Sequence, residues 1–95
     1  MDFKLFKESL SGSEPPRDAN PYLKALWYEG KGDWDQAHRI VQDIEDAKAA
    51  WVHAYLHRRE GDIFNADYWY RRAGKLRPSI SLEAEWQQLA SALID

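Results

Sequence analysis

The sequence contains no cysteine among its 95 residues. A chain without thiols has no disulfide, no thiolate nucleophile and no Cys-ligated zinc site. Long uncharged apolar runs are missing too, so no segment reaches the roughly 20 residues of a membrane-spanning helix. The first eight residues, MDFKLFKE, interleave charged with apolar side chains and therefore lack the apolar core of a signal peptide. We expect a cytoplasmic protein that does not contact membranes.

The sequence motifs of nucleotide binding and of common catalytic sites are absent as well. No GxxxxGK[ST] loop and no GxGxxG motif occurs, and no serine lies in a nucleophile-elbow motif. Excess positive charge is also lacking, since the formal net charge is −3. A general nucleic-acid binder needs a basic face, so this class is excluded. We expect a non-catalytic protein that needs no cofactor and binds no nucleic acid.

The residues that are present favour a small folded domain. Hydrophobic residues make up 44% and charged residues 31% of the chain, which is a globular and not a disordered composition. Aromatic residues reach 14% and include five Trp and five Tyr. Large rings stabilise small cores and are also enriched on binding surfaces, so their number alone does not separate these two roles.

Apolar spacing and helix-capping residues predict an all-α fold without a sheet, because no segment alternates apolar and polar residues as a strand would. Residues 1–12 should form a short amphipathic helix, and residues 13–20, which include Pro15-Pro16, a linker. Residues 21–77 should form antiparallel helical hairpins and residues 78–95 a last helix, which makes five to six helices in total. The helix that begins near residue 63 should continue to about residue 76, with Leu76 facing inward. The residues predicted to cap the N-termini of the helices are Asn20, Asp33, Asp46, Asp62 and Ser81.

An internal repeat appears when the chain is shifted by 29 residues. Glycine falls on glycine at Gly32 and Gly61, and the aspartates that follow them, Asp33 and Asp62, also coincide. Glycine permits a left-handed exit from a helix and aspartate caps the next helix, so this is a helix–Gly-Asp–helix unit used twice. Such units stack into α-solenoids.

The stretch from Trp51 to Pro78 resembles a tetratricopeptide repeat. The matching positions are Ala54, Gly61, Asp62, Ala66, Tyr70, Ala73 and Pro78. Residues 21–44 share fewer positions with that pattern. The resemblance implies a short solenoid of two hairpin repeats, closed by residues 78–95 as a C-terminal capping helix. The whole chain is also similar to a group of small uncharacterised bacterial proteins that share the sequence segments ALWYEGKGDWDQAH and VHAYLHRREGD.

The same resemblance implies a binding groove, because the first helix of each tetratricopeptide unit lines a concave surface that holds peptides. In the second unit, this surface would comprise Lys48, Trp51, Tyr55, Arg58 and Arg59. Aromatic rings beside arginines suit an extended protein or peptide segment with an acidic end. The alternative is that the N-terminal arm buries Trp51 and Tyr55. The helix lacks the Asn of the family's carboxylate clamp, so we do not infer that clamp.

Three histidines form a second group of candidate residues. His53 and His57 are four residues apart and so face the same side of one helix, and His38 on the preceding helix is a candidate third ligand. This spacing can bind a metal ion, although Ala54 stands where a hydrolytic zinc motif has Glu. Partly buried imidazoles with structural hydrogen bonds explain the same pattern. We favour this structural role, so no metal is assigned.

Charge is divided unequally between the two repeats. Residues 29–46 contain six acidic and two basic residues, whereas residues 57–77 contain six basic and three acidic residues. This charge asymmetry has three interpretations. It could attract a protein or peptide partner, it could join copies of the chain head to tail, or the charges could simply form solvated surfaces with no partner. We take partner binding as the leading hypothesis. A metal- or ligand-binding protein and a self-assembling structural subunit are the alternatives.

Overall fold

A computed structural model of the chain describes residues 1–95 and contains six α-helices and no strand. The prediction of an all-α fold with about six helices is therefore confirmed. A single 3-10 turn follows the first helix. The helices are α1 (Phe3–Glu8), α2 (Pro21–Gly30), α3 (Trp34–Val41), α4 (Ala47–Arg59), α5 (Ile63–Ala73) and α6 (Leu82–Leu93).

Side-chain caps fix where helices α2 to α6 begin, as Asp2 also does for α1. In each case the side chain accepts a hydrogen bond from a backbone N–H three residues later, which satisfies a donor that has no partner within the helix. Asn20 also donates through Nδ2 to the carbonyl of Leu93 at 2.8 Å and so ties the start of α2 to the end of α6. The five capping residues are those predicted from the sequence: Asn20, Asp33, Asp46, Asp62 and Ser81.

The end of α5 differs from the prediction. The helix ends at Ala73 because Gly74 adopts a left-handed conformation, with φ of 72°. The chain then leaves the helix before Leu76, whose side chain is 91% exposed. The prediction that Leu76 faces inward is therefore wrong, because the helix ends at Gly74 and the helical spacing of apolar residues no longer applies beyond it.

The glycines that end α2 and α4 also lie in the left-handed region, with φ of 88° at Gly32 and 85° at Gly61. A Cβ atom at Gly61 would meet no heavy atom within 4 Å, so backbone strain is the only cost of a side chain there. Gly61→Ala should lower the free energy of unfolding by about 1–2 kcal/mol. Gly61→Asn should lose less, because Asn tolerates this conformation better. Urea unfolding measures both, and an alanine variant as stable as the wild type would contradict the prediction.

Four helices form two stacked hairpins. Helix α2 pairs with α3 and α4 pairs with α5, and the hairpins meet where α4 packs against both α2 and α3. Three-residue links join the helices within each hairpin, which makes the paired helices antiparallel neighbours. Helix α4 is thus in contact with four other helices, and most of its residues between Ala49 and Leu56 are buried.

Helix α6 turns back across this stack. Its most extensive contacts are with α2 and α4, and α1 also packs against it. A helix that caps the end of a stack would instead pack along the last hairpin, α4 and α5. Here α6 and the N-terminal arm cover the surface formed by α2 and α4, and α5 packs extensively only against α4.

Trp86 anchors α6 and the N-terminal arm to this surface. Its Nε1 donates to the carbonyl of Leu26 at 3.0 Å, and its ring stacks on Phe6 with centroids 5.7 Å apart. The close approach depends on Gly30, where a Cβ would lie 3.0 Å from Leu10 and 3.3 Å from Trp86.

None of the helices combines the length and the apolar character that crossing a bilayer requires.

Candidate functional site

The predicted groove residues on α4 are largely engaged inside the molecule. Tyr55 is only 1% exposed, and its hydroxyl donates to Oε2 of Glu29 at 3.3 Å. Arg59 pairs with Oε1 of the same carboxylate at 3.1 Å. Burial raises the pKa of Glu29, with Arg59 acting in the opposite direction, and burial likewise raises the pKa of Tyr55. Tyr55 therefore has no surface to offer a partner.

Arg58 holds an acidic residue of its own chain. Its Nη1 donates to Oε1 of Glu85 on α6 at 2.8 Å, and its Nη2 donates to the carbonyl of Ile80. The Tyr70 hydroxyl donates to the other oxygen of Glu85 at 2.5 Å. Glu85 itself is 1% exposed. The arginine and tyrosine thus recognise a carboxylate, but α6 supplies it, so an external acidic group would have to displace this helix.

Of the groove candidates, only Lys48 and Trp51 are at least partly exposed and do not contact a carboxylate of the chain. Lys48 is exposed, with its Nζ 5.9 Å from the centre of the Tyr22 ring. Trp51 is half-buried, and the Nζ of Lys75 lies 4.3 Å from the centre of its ring. Both residues lie on the surface of the stack, and they do not form one continuous groove with the buried Tyr55.

The outer face of α5 is a surface that sequence reasoning missed. Phe64, Tyr68 and Arg71 recur at i, i+4 and i+7, opposite the buried face formed by residues 66, 70 and 73. Phe64 is 84% exposed, although it is a large apolar side chain. The guanidinium of Arg72 lies 5.8 Å from the ring centre of Tyr68 and donates to its hydroxyl at 3.1 Å. The spacing of these residues in the sequence could have revealed this face, which we call the α5 outer face (Phe64, Tyr68, Arg71 and Arg72).

The three candidate histidines meet between α3 and α4. Nε2 of His38 lies 2.9 Å from Nε2 of His53. One nitrogen of each ring, including that of His57, lies within 4.8 Å of the other two. The side chain of His53 is 5% exposed, whereas those of His38 and His57 are half-buried. The structure thus brings together all three residues that the sequence singled out.

Aromatic and acidic neighbours fix the orientation of these rings. The Trp34 ring stacks on His38 at 4.9 Å and the Trp69 ring stacks on His53 at 3.9 Å between centroids. His57 contacts Oε1 of Glu60 through Nδ1 at 2.8 Å. Because a carboxylate only accepts hydrogen bonds, this contact places a proton on Nδ1, so Nε2 is the nitrogen of His57 that is left to bind a metal ion.

Burial favours the neutral form of two of these imidazoles. The pKa of His53 is lowered to about 3, mainly by burial and in addition by charge repulsion from the nearby His38 and His57. Burial is also the main cause of the lowered pKa of His38. At neutral pH, His53 and His38 therefore carry lone pairs that can accept a hydrogen bond or bind a metal ion.

Comparison of the chain with protein-family models, with curated proteins and with solved structures found no match.

Proposed function

We propose that this protein is a non-catalytic, cytoplasmic helical-repeat module that binds an acidic segment of a protein partner through the α5 outer face. The observation that carries the proposal is the uneven distribution of exposed apolar side chains. Of the six large apolar side chains that are exposed, four lie between residues 63 and 76: Ile63, Phe64, Tyr68 and Leu76. Two of them, Phe64 and Tyr68, lie on the α5 outer face, and exposed apolar side chains that share one face are typical of protein interaction sites.

Charge supports an acidic partner. None of the four salt bridges in the structure involves Arg71, Arg72 or Lys75, so these cations near the end of α5 have no carboxylate partner within the chain. Aromatic and arginine side chains are the residue types that contribute most binding energy at protein interfaces. Free cations next to exposed rings favour a partner that presents carboxylates, and their complementarity would speed association.

The proposal moves the binding surface away from the groove that the tetratricopeptide resemblance implied. Helix α6 occupies that groove, and its own Glu85 is bound to Arg58 there. Packing of α6 against α2 and α4 also leaves α5 at one end of the stack, with α4 as its only extensive contact. The α5 outer face is therefore open to a partner without any rearrangement of the fold.

Site-specific photo-cross-linking tests this proposal. A benzophenone amino acid at Phe64, introduced in the native host cells, should give a discrete cross-linked product that is lost when Arg71→Glu and Arg72→Glu are added. The matched control places the same probe at Arg17, which is exposed in the segment before α2. The same products from both positions, or products insensitive to charge reversal, would overturn the proposal. A product with twice the mass of the chain would replace it with self-assembly.

A further inference from the structure

We propose that His38, His53 and His57 form a binding site for one divalent transition-metal ion such as Zn²⁺. The inference is independent of partner binding through the α5 outer face, since the two regions share no residue. Imidazole nitrogens suit Zn²⁺, Cu²⁺ and Ni²⁺, whereas Mg²⁺ and Ca²⁺ prefer oxygen ligands. A site made of three histidines is therefore selective for the first group.

One distance between the ligand nitrogens is close to that of a bound site. Two nitrogens on one Zn²⁺, each about 2.0–2.1 Å from the ion in tetrahedral geometry, lie about 3.4 Å apart. Nε2 of His38 and Nε2 of His53 are 2.9 Å apart, which is a hydrogen-bond distance. For both to bind an ion, the ring that donates this hydrogen bond must carry its proton on Nδ1 instead of Nε2, and the two nitrogens must separate by about 0.5 Å. A nitrogen of His57 is within 4.8 Å of both, so it would approach by no more than about 1.4 Å to complete the set.

The surroundings of the rings resemble the outer shell of a metal site. The Nδ1 contact between His57 and Glu60 is the carboxylate–histidine pairing that fixes the tautomer and raises the basicity of a ligand nitrogen. Trp34 holds the plane of His38 by stacking, and its own Nε1 donates to the carbonyl of Leu56 at 2.7 Å. Such support limits the entropy that the ligands lose when an ion binds.

The three-histidine set leaves one position of a tetrahedral ion free of protein ligands. No carboxylate joins the group formed by His38, His53 and His57. The His57, Glu60 and Asp62 side chains form a neighbouring group, but there Glu60 already bonds Nδ1 of His57. Three histidines with an open fourth position, filled by water or another small ligand, is a known zinc arrangement.

Isothermal titration of untagged, metal-free protein with Zn²⁺ tests the inference. We expect one ion per chain with a dissociation constant of about 10 μM or tighter, and no heat with Mg²⁺. His38→Gln and His57→Gln each remove one ligand but keep a side chain that can form hydrogen bonds; each should weaken binding at least about tenfold, and urea unfolding of both variants checks that they fold. Glu60→Gln should weaken it by about ten- to a hundredfold, because it removes the outer-shell carboxylate. Arg39→Ala, next to His38 in the chain but exposed, is the matched control and should bind as the wild type does.

Spectroscopy provides a second readout that a merely structural histidine cluster would not change. Co²⁺ added to the wild-type protein should give the visible absorption of a tetrahedral complex, and Cu²⁺ should quench the fluorescence of Trp34 and Trp69, which stack on two of the ligands. Absence of stoichiometric Zn²⁺ binding would overturn the inference. Binding that is unchanged in both His38→Gln and His57→Gln would overturn it as well.

Discussion

Replacing Arg58 with alanine should lower the free energy of unfolding by about 3–5 kcal/mol. The guanidinium pairs with Glu85, which is 1% exposed and accepts a second hydrogen bond from Tyr70. Removal of the cation leaves a buried carboxylate with only a neutral partner, and this uncompensated charge is the main cost. Because a domain of this size has a total stability of about 5–15 kcal/mol, the loss should be visible as a large shift in a urea unfolding curve.

Two further variants separate charge compensation from simple loss of packing. Adding Glu85→Gln to Arg58→Ala removes the unpaired charge and should restore part of the stability. Arg39→Ala changes an exposed arginine that forms no salt bridge and should leave the unfolding midpoint nearly unchanged. An Arg58→Ala variant that is destabilised by less than about 1 kcal/mol would show that α6 does not depend on this ion pair.

Acidification from pH 7 to pH 5 should destabilise the metal-free protein by about 2 kcal/mol through His53 alone. Burial lowers the pKa of His53 from 6.5 to about 3, so the unfolded chain binds a proton more readily than the folded chain between these values. The stabilising contribution is therefore present above pH 6.5 and is lost progressively as the pH falls toward 3. The lowered pKa of His38 acts in the same direction.

The histidine contribution can be isolated with His53→Gln, measured beside the wild type in the presence of a chelator. Urea unfolding at pH 7 and at pH 5 gives the loss of stability for each protein. We expect the loss to be smaller in the variant by about 2 kcal/mol, since glutamine does not titrate. Equal losses in the two proteins would mean that His53 is protonated as easily in the folded state as in the unfolded one.

The histidine cluster was predictable in part. The spacing of His53 and His57 places both on one side of α4 whatever the rest of the fold does. The position of His38 followed only from the expectation that α3 and α4 are neighbours in a stack of hairpins. The sequence did not reveal the stacking of Trp34 and Trp69 on these rings, because a tryptophan at helical spacing fits a general core position equally well.

The binding surfaces, unlike the histidine cluster, were not predicted correctly from the sequence. The tetratricopeptide resemblance placed Tyr55, Arg58 and Arg59 on an open groove, but each of them contacts a carboxylate of this chain. The spacing of Phe64, Tyr68 and Arg71 places them on one face of α5, but this face was missed because periodicity alone does not tell which face of a helix is left without a partner. That depends on where α6 packs.

By itself, the sequence determined the helices, their starts and most of their ends, because capping bonds, left-handed glycines and apolar periodicity act within a few residues along the chain. Only the tertiary structure decided that α6 crosses α2 and α4, that Glu85 reaches Arg58 and Tyr70, and that α5 stays open on its outer face. The eight residues 74–81 separate α5 from α6, and a connection of this length does not by itself dictate where α6 packs. Side-chain packing around Trp86 and the burial of one paired charge select among them.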